Sequence, residues 1–385
     1  MRVTGAWLYD PGTQSVLHLL TGAGFQAYAV GGCVRNAVLG VPVGDVDIAT
    51  DALPETVTKL AEMAGIRAVP TGIEHGTVTL VTGGTGFEVT TFRHDAESFG
   101  RHARVTFGAD LAQDAARRDF TMNALYVDAG GRLLDPLDGL PDLRARRVRF
   151  VGDAGERITE DALRILRFFR FSAQYGDPAL GMEPEALAAC AEHSAMLETL
   201  SRERIGAEMR KLLAVPDPAP AVAAMVQTGV MRAILPGATA QALTVLVHLE
   251  GGDPGGWLRR LTVLGGADPG DTLRLSKAEK RDFSLVRDAI SALDPPAALG
   301  LLMGARRAAD AVLARAALLE TLPPADWRDQ IARGAGARFP LRAADLMPRL
   351  QGPALGAALK QAQEHWMAQD FRPDRAALLR LLGLA

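Results

Sequence analysis

The feature that most constrains the fold is a change of sequence character near residue 140. Before that point short β-rich runs alternate with short helical segments, whereas after it apolar residues recur with helical spacing and Ala, Leu and Arg dominate. The first helices of this second part are predicted over residues 157–175, 183–200 and 202–214. The sequence therefore predicts an α+β domain followed by a long all-α region.

Composition places the chain among ordinary globular proteins. Apolar residues make up 48% of the 385 residues, charged residues make up 23%, and the net charge is −3. This charge argues against indiscriminate nucleic-acid binding but permits a basic stripe on one face. Two cysteines, Cys33 and Cys190, are too few for a disulfide-rich secreted scaffold or a four-ligand zinc site. Because no apolar run suits a membrane span or a signal peptide, we expect a cytoplasmic protein.

A Gly-Gly turn is the first candidate for chemistry. Gly31 and Gly32 follow a predicted strand over residues 26–30 and precede a predicted helix over residues 35–39. Paired glycines let backbone amides approach an anion, and the helix N-terminus adds positive potential that Arg35 reinforces. Taken alone, the segment is more typical of a tight strand–helix turn with a surface arginine.

Two carboxylates, Asp45 and Asp47, follow the Gly-Gly turn by a dozen residues. Both lie on a strand predicted over residues 43–50. Side chains at positions i and i+2 of a strand share one face and lie about 7 Å apart. Together they can bind one or two hard cations such as Mg²⁺, which bridge triphosphate oxygens and activate a hydroxyl. Glu88, on a neighbouring predicted strand, is the candidate third carboxylate. A solvent-facing polar strand is the alternative interpretation of both segments.

Two adjacent arginines, Arg117 and Arg118, directly precede Asp119 and are followed closely by Asn123. Neighbouring guanidiniums can hold phosphate oxygens in a fork geometry, so the segment is a candidate phosphate clamp. The alternative is an ordinary capped junction between a loop and a helix.

A charged row on the predicted helix 157–175 offers a way to recognise a base. Residues three positions apart share one helix face, and the row steps through Asp161, Arg164, Arg167 and Arg170. An accepting carboxylate beside a donating guanidinium complements the amino group and ring nitrogen of cytosine or adenine, but clashes with uracil and guanine. An intrahelical ladder of ion pairs is the ordinary interpretation of such a row.

In this order and spacing, these segments resemble the class II nucleotidyltransferases of the polymerase-β superfamily, which include tRNA CCA-adding enzymes and bacterial poly(A) polymerases. The matching motifs are GGCVRNAVLGVPVGDVDIAT at 31–50, FEVTTFRHD at 87–95, RRDFTMNAL at 117–125, ITEDALRILRFFRF at 158–171 and SRERIGAEMRKLL at 201–213. The similarity covers about half of the chain. It implies a polymerase-β-like nucleotidyltransferase head over residues 1–140, a helical neck that reads the base and binds RNA over 141–215, and a tRNA-binding helical body and tail over 216–385.

The resemblance implies two kinds of site residue. Asp45 and Asp47 are the expected catalytic residues and Mg²⁺ ligands, with Glu88 as the candidate third ligand. The expected nucleotide-binding residues are Gly32, Arg35, Arg118, Asp161, Arg164, Arg167 and Arg170. Within this set, Asp161 and Arg164 match the protein template that selects CTP and then ATP.

The implied activity is addition of CCA to the 3′ end of tRNA from CTP and ATP without a nucleic-acid template. Mg²⁺ would assist attack of the tRNA 3′-hydroxyl on the α-phosphate, and pyrophosphate would leave. The polar segment 94–108, with Arg101 and His102, is predicted to be a mobile loop and lies where the family has a flexible loop involved in the switch from C to A. The helical body and tail would hold the acceptor stem and T arm by backbone contacts. Candidate phosphate contacts there are Arg259, Arg260, Lys277, Lys280 and Arg281.

Several alternatives stay open. CC-only addition, A-only addition and poly(A) synthesis share nearly all of these motifs, although segment 94–108 lacks the strongly basic character expected of a poly(A) enzyme. An inactive RNA-binding module would not require the intact Asp45/Asp47 and Asp161/Arg164 pairs. A nucleotidyltransferase of small molecules would not need the long helical body.

Overall fold

The computed structural model describes residues 1–99, 102–108, 110–252, 256–347 and 349–384. The chain divides into two compact units. The first comprises Met1–Glu208 and Pro220–Ile234, and the second comprises Met209–Ala219 and Leu235–Ala385. No helix within the described residues is both long enough and apolar enough to cross a membrane.

The first unit is built on β-structure. Its strands are β1 (Ala27–Val30), β2 (Asp47–Thr50), β3 (Arg67–Gly72), β4 (Thr77–Thr82), β5 (Thr85–Thr91), β6 (Arg93–Phe99), β7 (His102–Phe107), β8 (Tyr126–Val127) and β9 (Leu133–Leu134). A seven-stranded mixed sheet has the order β3-β4-β5-β2-β1-β8-β9, and β6 and β7 form a separate pair. Strands β2 and β5 pair in parallel, and the other neighbours of the main sheet pair antiparallel.

Helices surround and follow this sheet. Up to residue 234 they are α1 (Ala6–Tyr9), α2 (Pro11–Gly22), α3 (Gly32–Leu39), α4 (Pro54–Met63), α5 (Leu111–Ala116), α6 (Gly139–Arg144), α7 (Ala154–Glu160), α8 (Leu163–Tyr175), α9 (Pro184–Glu192), α10 (Arg202–Leu213), α11 (Ala219–Gln227) and α12 (Val230–Ile234). Short 3₁₀ helices cover Ile73–His75, Thr121–Asn123 and Ser194–Thr199.

The second unit is helical, as the sequence predicts, and its described residues contain no strand. Beyond residue 234 the helices are α13 (Gln241–Glu250), α14 (Trp257–Leu264), α15 (Pro269–Thr272), α16 (Lys277–Ala292), α17 (Pro296–Leu318), α18 (Trp327–Gly336), α19 (Ala343–Leu346), α20 (Gly352–Ala368) and α21 (Arg375–Leu381). The last of these pack around Trp366, which is buried between Phe339 and Phe371. The predicted α+β class with a following helical region is therefore confirmed.

The core that supports the site lies at the centre of the main sheet. Strand β1 is flanked by β2 and β8 on either side, and it is almost fully buried. Tyr28 of this strand packs against Phe92 and Tyr126, which belong to one apolar cluster with Val30. Because these side chains are buried, the strand ends that carry the polar residues are held in fixed positions.

Four predicted elements differ from the structure. The helix predicted over 183–200 ends at Glu192, and a separate 3₁₀ helix follows over Ser194–Thr199. The strand predicted over 43–50 begins at Asp47, so Asp45 precedes it. The segment 94–108, predicted to be a loop, instead contains the hairpin of β6 and β7; its polar sequence hid this because the two strands pair with each other outside the main sheet. Arg101 lies outside the described residues. The helix predicted over 157–175 is broken between α7 and α8.

Candidate active site

Acidic residues meet where strands β2 and β5 run side by side. Asp47 begins β2 and pairs in register with Glu88 of β5, so the two side chains project from the same face of the parallel pair. Asp45 is exposed and lies in the segment just before β2. The prediction that the strand pleat itself aligns Asp45 with Asp47 is therefore wrong, and the neighbour in register is Glu88.

Burial and neighbouring charges act together on the carboxyl group of Asp47. Desolvation by the surrounding protein, and then the negative charges of Glu88 and Asp45, raise the pKa of Asp47 to about 6, although its side chain remains accessible to solvent. The positive charge of Arg118 acts in the opposite direction. Glu88 and Asp45 therefore add to the effect of desolvation on Asp47, and Arg118 offsets part of it.

A divalent cation suits this donor set, since carboxylate oxygens are hard ligands and a cation would relieve the repulsion that raises the pKa of Asp47. Within the part of the chain that the structure describes, no group of three or more His, Cys, Asp or Glu side chains is close enough to hold a metal ion. Asp45, Asp47 and Glu88 thus do not form a closed three-ligand cluster. The assignment of Asp45 and Asp47 as ligands, with Glu88 as a third, stays a prediction.

The Gly-Gly turn lies directly after β1. Gly31 has φ +73° and ψ −117°, a backbone conformation that favours glycine, and the helix α3 starts at Gly32. A Cβ atom at Gly31 would lie 3.6 Å from Nη1 of Arg118, so this arginine faces the turn. The structure thus brings Arg118 together with the turn and, electrostatically, with Asp47.

Arg35 occupies a different place from the one expected of a free phosphate ligand. Its guanidinium is buried and donates to Asn123 Oδ1 at 2.6 Å, Tyr175 Oη at 2.7 Å and Asn36 Oδ1 at 2.9 Å. It also lies 4.1 Å from the centre of the Tyr175 ring, and burial lowers the pKa of Arg35. In this structure Arg35 links α3 to α8, and its contact with a triphosphate stays a prediction.

Arg118 is oriented by two residues outside the predicted site, Asp114 and Tyr126. Its Nη2 donates to Asp114 Oδ2 and its Nε donates to Tyr126 Oη, both at 2.9 Å. Tyr126 Oη in turn donates to Asp114 Oδ2 at 2.7 Å, and Asp114 also binds Arg117. Burial alone would raise the pKa of Asp114, but the positive charges of Arg118 and Arg117 hold this pKa below its ordinary value.

The spacing of Asp114 four residues before Arg118 was a readable helical signal for this pair. The contribution of Tyr126 had no sequence signal, because β8 brings it back to α5 through the tertiary fold.

The charged row predicted on one helix is divided in the structure. Asp161 lies between α7 and α8 with φ −151° and ψ 103°, whereas Arg164 belongs to α8. The prediction that both sit on one continuous helix is therefore wrong. Arg164 donates to Glu160 Oε2 at 2.5 Å and to the carbonyls of Arg157 and Arg117, while Asp161 Oδ2 accepts from Arg204 Nη2 at 2.7 Å.

Arg167 and Arg170 continue the row along α8, and both are ion-paired. Arg167 donates two hydrogen bonds to Asp119 Oδ2, and Arg170 Nε donates to Glu208 Oε2 at 2.6 Å. Arg170 and Glu208 are both buried, which fits the structural role that ion pairs on helices ordinarily have. Contacts of either arginine with a nucleotide stay predictions.

Two of the arginines expected to contact RNA in the helical body are buried. Arg260 donates to Glu250 Oε2 and to the carbonyls of Leu213 and Pro216, and Arg259 lies between Glu250 and Asp310. This expectation is wrong for both residues, because their charges are used inside the second unit. Lys277, Lys280 and Arg281 are exposed.

These features together fit a nucleotidyltransferase: Asp47 lies beside Glu88 on a mixed sheet, Arg118 faces the Gly-Gly turn, and Asp161 and Arg164 lie just before α8 and in its first turn. Comparisons with known proteins agree. Residues 27–149 match the family described as "Poly A polymerase head domain", and residues 180–241 match "Probable RNA and SrmB- binding site of polymerase A".

Relatives that match along most of the chain identify the family more narrowly. A CCA-adding enzyme of Lacticaseibacillus paracasei is 36% identical, with 94% of each chain covered. The crystal structure of the Bacillus stearothermophilus CCA-adding enzyme in complex with CTP is 28% identical, with 93% of this chain and 92% of that chain covered and a TM-score of 0.70. The Thermotoga maritima CCA-adding enzyme complexed with tRNA shares the fold at 18% identity and a TM-score of 0.73, with 99% of this chain and 98% of that chain covered.

This chain belongs to the CCA-adding enzyme family of tRNA nucleotidyltransferases. Nucleotidyltransferases of this family generally use a divalent metal ion.

Proposed function

We propose that the protein adds CCA to the 3′ end of tRNA from CTP and ATP, with Mg²⁺ and without a nucleic-acid template. The observation that carries the proposal is the register pairing of Asp47 with Glu88 in reach of Arg118. This pairing supports the proposal because two carboxylates that repel each other lie on one parallel strand pair, within the electrostatic influence of a guanidinium. Phosphoryl transfer needs this combination, because charge develops on phosphate oxygens on both sides of the bond that breaks.

In this proposal Asp45 and Asp47 hold the divalent cation. When bound, such an ion neutralises phosphate charge and favours the ionised form of the attacking hydroxyl. Arg118 faces the Gly31 turn and would bind oxygens of the triphosphate or of leaving pyrophosphate, while Asp114 and Tyr126 keep its guanidinium in one orientation. Gly32, at the first turn of α3, would offer its backbone amide to the same phosphates.

The choice of base follows from Asp161 and Arg164. Cytosine and adenine each present an amino donor beside a ring-nitrogen acceptor, which a carboxylate and a guanidinium can match. Uracil and guanine present a carbonyl and a protonated ring nitrogen, so both protein groups would be left facing a like partner. Unsatisfied polar groups of this kind give strong discrimination.

The remaining parts of the proposal concern RNA and location. Residues 1–140 would form the catalytic head, residues 141–215 the base-reading neck, and residues 216–385 the body and tail that bind the acceptor stem and T arm of tRNA. Shape and backbone contacts would dominate that recognition. The two cysteines are buried and free, which fits a cytoplasmic protein.

A primer-extension assay tests the proposal. Purified protein and Mg²⁺ are mixed with tRNA transcripts that end at the discriminator base, at C or at CC, and each receives CTP, ATP, both, or UTP and GTP. Three additions that require both CTP and ATP, followed by a stop, are the expected result. The protein would instead be a CC-adding enzyme if it added only CC, and an A-adding enzyme if it added only A to the CC-ended transcript. A long A ladder on any RNA would indicate a poly(A) polymerase. If no nucleotide were incorporated under any condition, the proposal that the protein is a nucleotidyltransferase would be contradicted.

A further inference from the structure

The carboxylate of Asp161, which is proposed to read the base, is held by Arg204, a residue outside the predicted site. Asp161 Oδ2 accepts a hydrogen bond from Nη2 of Arg204 on α10 at 2.7 Å. Asp161 Oδ1 accepts from the backbone amide of Leu163 at 3.1 Å. Because both oxygens are bonded, the plane of the carboxylate and the directions of its remaining lone pairs are set.

The backbone does not provide this orientation by itself. Asp161 lies in the break between α7 and α8 with extended φ and ψ, so the rotamer restriction that a helix imposes on its residues does not apply to it. Among the described residues, Arg204 is the one side chain that hydrogen-bonds Asp161. The direction of this carboxylate therefore depends on Arg204.

The partner reader is supported differently. Arg164 donates to the Glu160 carboxylate and to the backbone carbonyls of Arg157 and Arg117, so three acceptors on two segments fix its guanidinium. Removal of the Arg204 guanidinium would therefore leave Arg164 oriented, and only the side chain of Asp161 would lose its hydrogen-bonded orientation. Base selection requires both groups at once, since a donor without its matching acceptor no longer distinguishes an amino group from a carbonyl.

The bond to Arg204 leaves Asp161 able to bind a base. A carboxylate has about four lone-pair sites on its two oxygens, and each oxygen can accept a second hydrogen bond. Both side chains are partly exposed, at 37% for Arg204 and 32% for Asp161, so the pair lies at an accessible surface. Exposed pairs of this kind contribute little to stability, so its loss should leave the fold intact.

We propose that Arg204 is a positioning residue for base selection, which orients Asp161 so that its free lone pairs accept the amino group of cytosine or adenine. This inference rests on the proposed function. Arg204 acts through Asp161 and does not itself touch the nucleotide. It is thus a determinant of discrimination between nucleotides rather than of the rate of phosphoryl transfer.

The test compares Arg204→Met, which keeps the aliphatic stem, with the wild type and with Arg202→Met. Arg202 is exposed, lies on the same helix and undergoes the same change of charge. kcat/KM is measured for CTP and UTP on tRNA ending at the discriminator base, and for ATP and GTP on tRNA ending in CC. In Arg204→Met both ratios, CTP over UTP and ATP over GTP, should fall about tenfold or more. They should stay unchanged in Arg202→Met.

A conservative variant separates positioning from general damage. Arg204→Lys retains a charged donor and should recover part of the lost discrimination, whereas Arg204→Gln should recover less. If Arg204→Met does not fold, the comparison of the Lys and Gln variants decides. Unchanged ratios, or an equal loss of kcat/KM for all four nucleotides, would overturn the inference. A wild-type protein that adds no CCA would instead contradict the proposed function, before any variant is compared.

Discussion

Two groups of carboxylates in the first unit differ in how their charge is compensated. Asp47 and Glu88 form no ion pair with any other described residue, and desolvation and their mutual repulsion raise the pKa of Asp47 to about 6. Asp114, Asp119 and Glu208 each bind one or two arginines. A compensated carboxylate fixes the position of its arginine, while an uncompensated one retains the capacity to bind a cation from solution. The difference therefore separates the supporting framework from the site of chemistry.

The largest expected effect is the loss of activity when the uncompensated charge is removed. Asp47→Asn should reduce nucleotide incorporation at least about a hundredfold, because the charge that holds the cation is lost. The metal-free variant should nevertheless be as stable as the wild type at pH 8, or more stable, because a desolvated charge and its repulsion with Glu88 are gone. Incorporation assays and thermal unfolding in the presence of a chelator measure the two quantities.

The pH dependence gives this prediction a sign. The folded pKa of Asp47 is raised above its ordinary value of 3.8 to about 6, so its contribution to stability is fully present below 3.8 and is lost as the pH rises through 6. In chelator, Asp47→Asn should lack this loss between pH 4 and pH 7. Glu62→Gln, an exposed change on α4, is the control and should resemble the wild type in both assays. A large fall in the stability of Asp47→Asn at pH 8 would show that its charge is compensated after all.

Local sequence patterns predicted several of the elements that carry these carboxylates. The strand predicted over residues 26–30 and the predicted strand that carries Glu88 correspond to β1 and β5, and Asp47 was predicted from its spacing after the Gly-Gly turn. Strand β3 was missed because Pro70 and polar neighbours interrupt its pattern, which is tolerated at the edge of a sheet. The order and parallel register that bring Glu88 beside Asp47 depend on long-range pairing, which no local window contains.

The sequence also does not predict which residues pair with the arginines, because these contacts join distant segments of the chain. The spacing of three residues predicted that Asp161 and Arg164 share one helix. The chain instead breaks between α7 and α8, where Asp161 contacts Arg204 of α10 and Arg164 contacts the carbonyl of Arg117. The contact of Tyr126 with Asp114 likewise requires β8 to lie against α5. A row of arginines in a sequence therefore does not show which of them remain available to a ligand.

Removal of a compensated carboxylate should affect stability more than the strand-end change does. Asp114 is buried beneath Arg117 and Arg118, and Asp114→Asn leaves both guanidiniums without their charged partner. We expect a loss of about 3 kcal/mol in the free energy of unfolding at neutral pH. Because the pKa of Asp114 is lowered, its contribution is present above the ordinary carboxyl value and is lost as the pH falls through the lowered pKa. Acid titrations of unfolding should thus be less steep in the variant, and an unchanged stability would refute the buried network.

Tyr126→Phe should have an intermediate effect, because it removes one hydroxyl from the same network and leaves the ring in the core. The hydroxyl donates to Asp114 and accepts from Arg118, so two neutral–charged hydrogen bonds are lost. We expect a loss of about 1–2 kcal/mol in the free energy of unfolding. The KM for nucleotides should rise more than kcat falls, because Arg118 is less well oriented but still charged. A fall in kcat at constant KM would place Tyr126 outside phosphate binding.

The smallest effect is expected where both partners of an ion pair are exposed. Arg333 and Asp370 in the second unit lie 2.8 Å apart and are about half exposed, so solvent screens their attraction. Arg333→Ala should change the free energy of unfolding by no more than about 0.5 kcal/mol and leave nucleotide incorporation unaltered. Thermal unfolding at low and high salt measures it, because any contribution should vanish at high salt. If this change were as costly as Asp114→Asn, burial would not be what distinguishes framework carboxylates, and the comparison between the two groups would lose its physical basis.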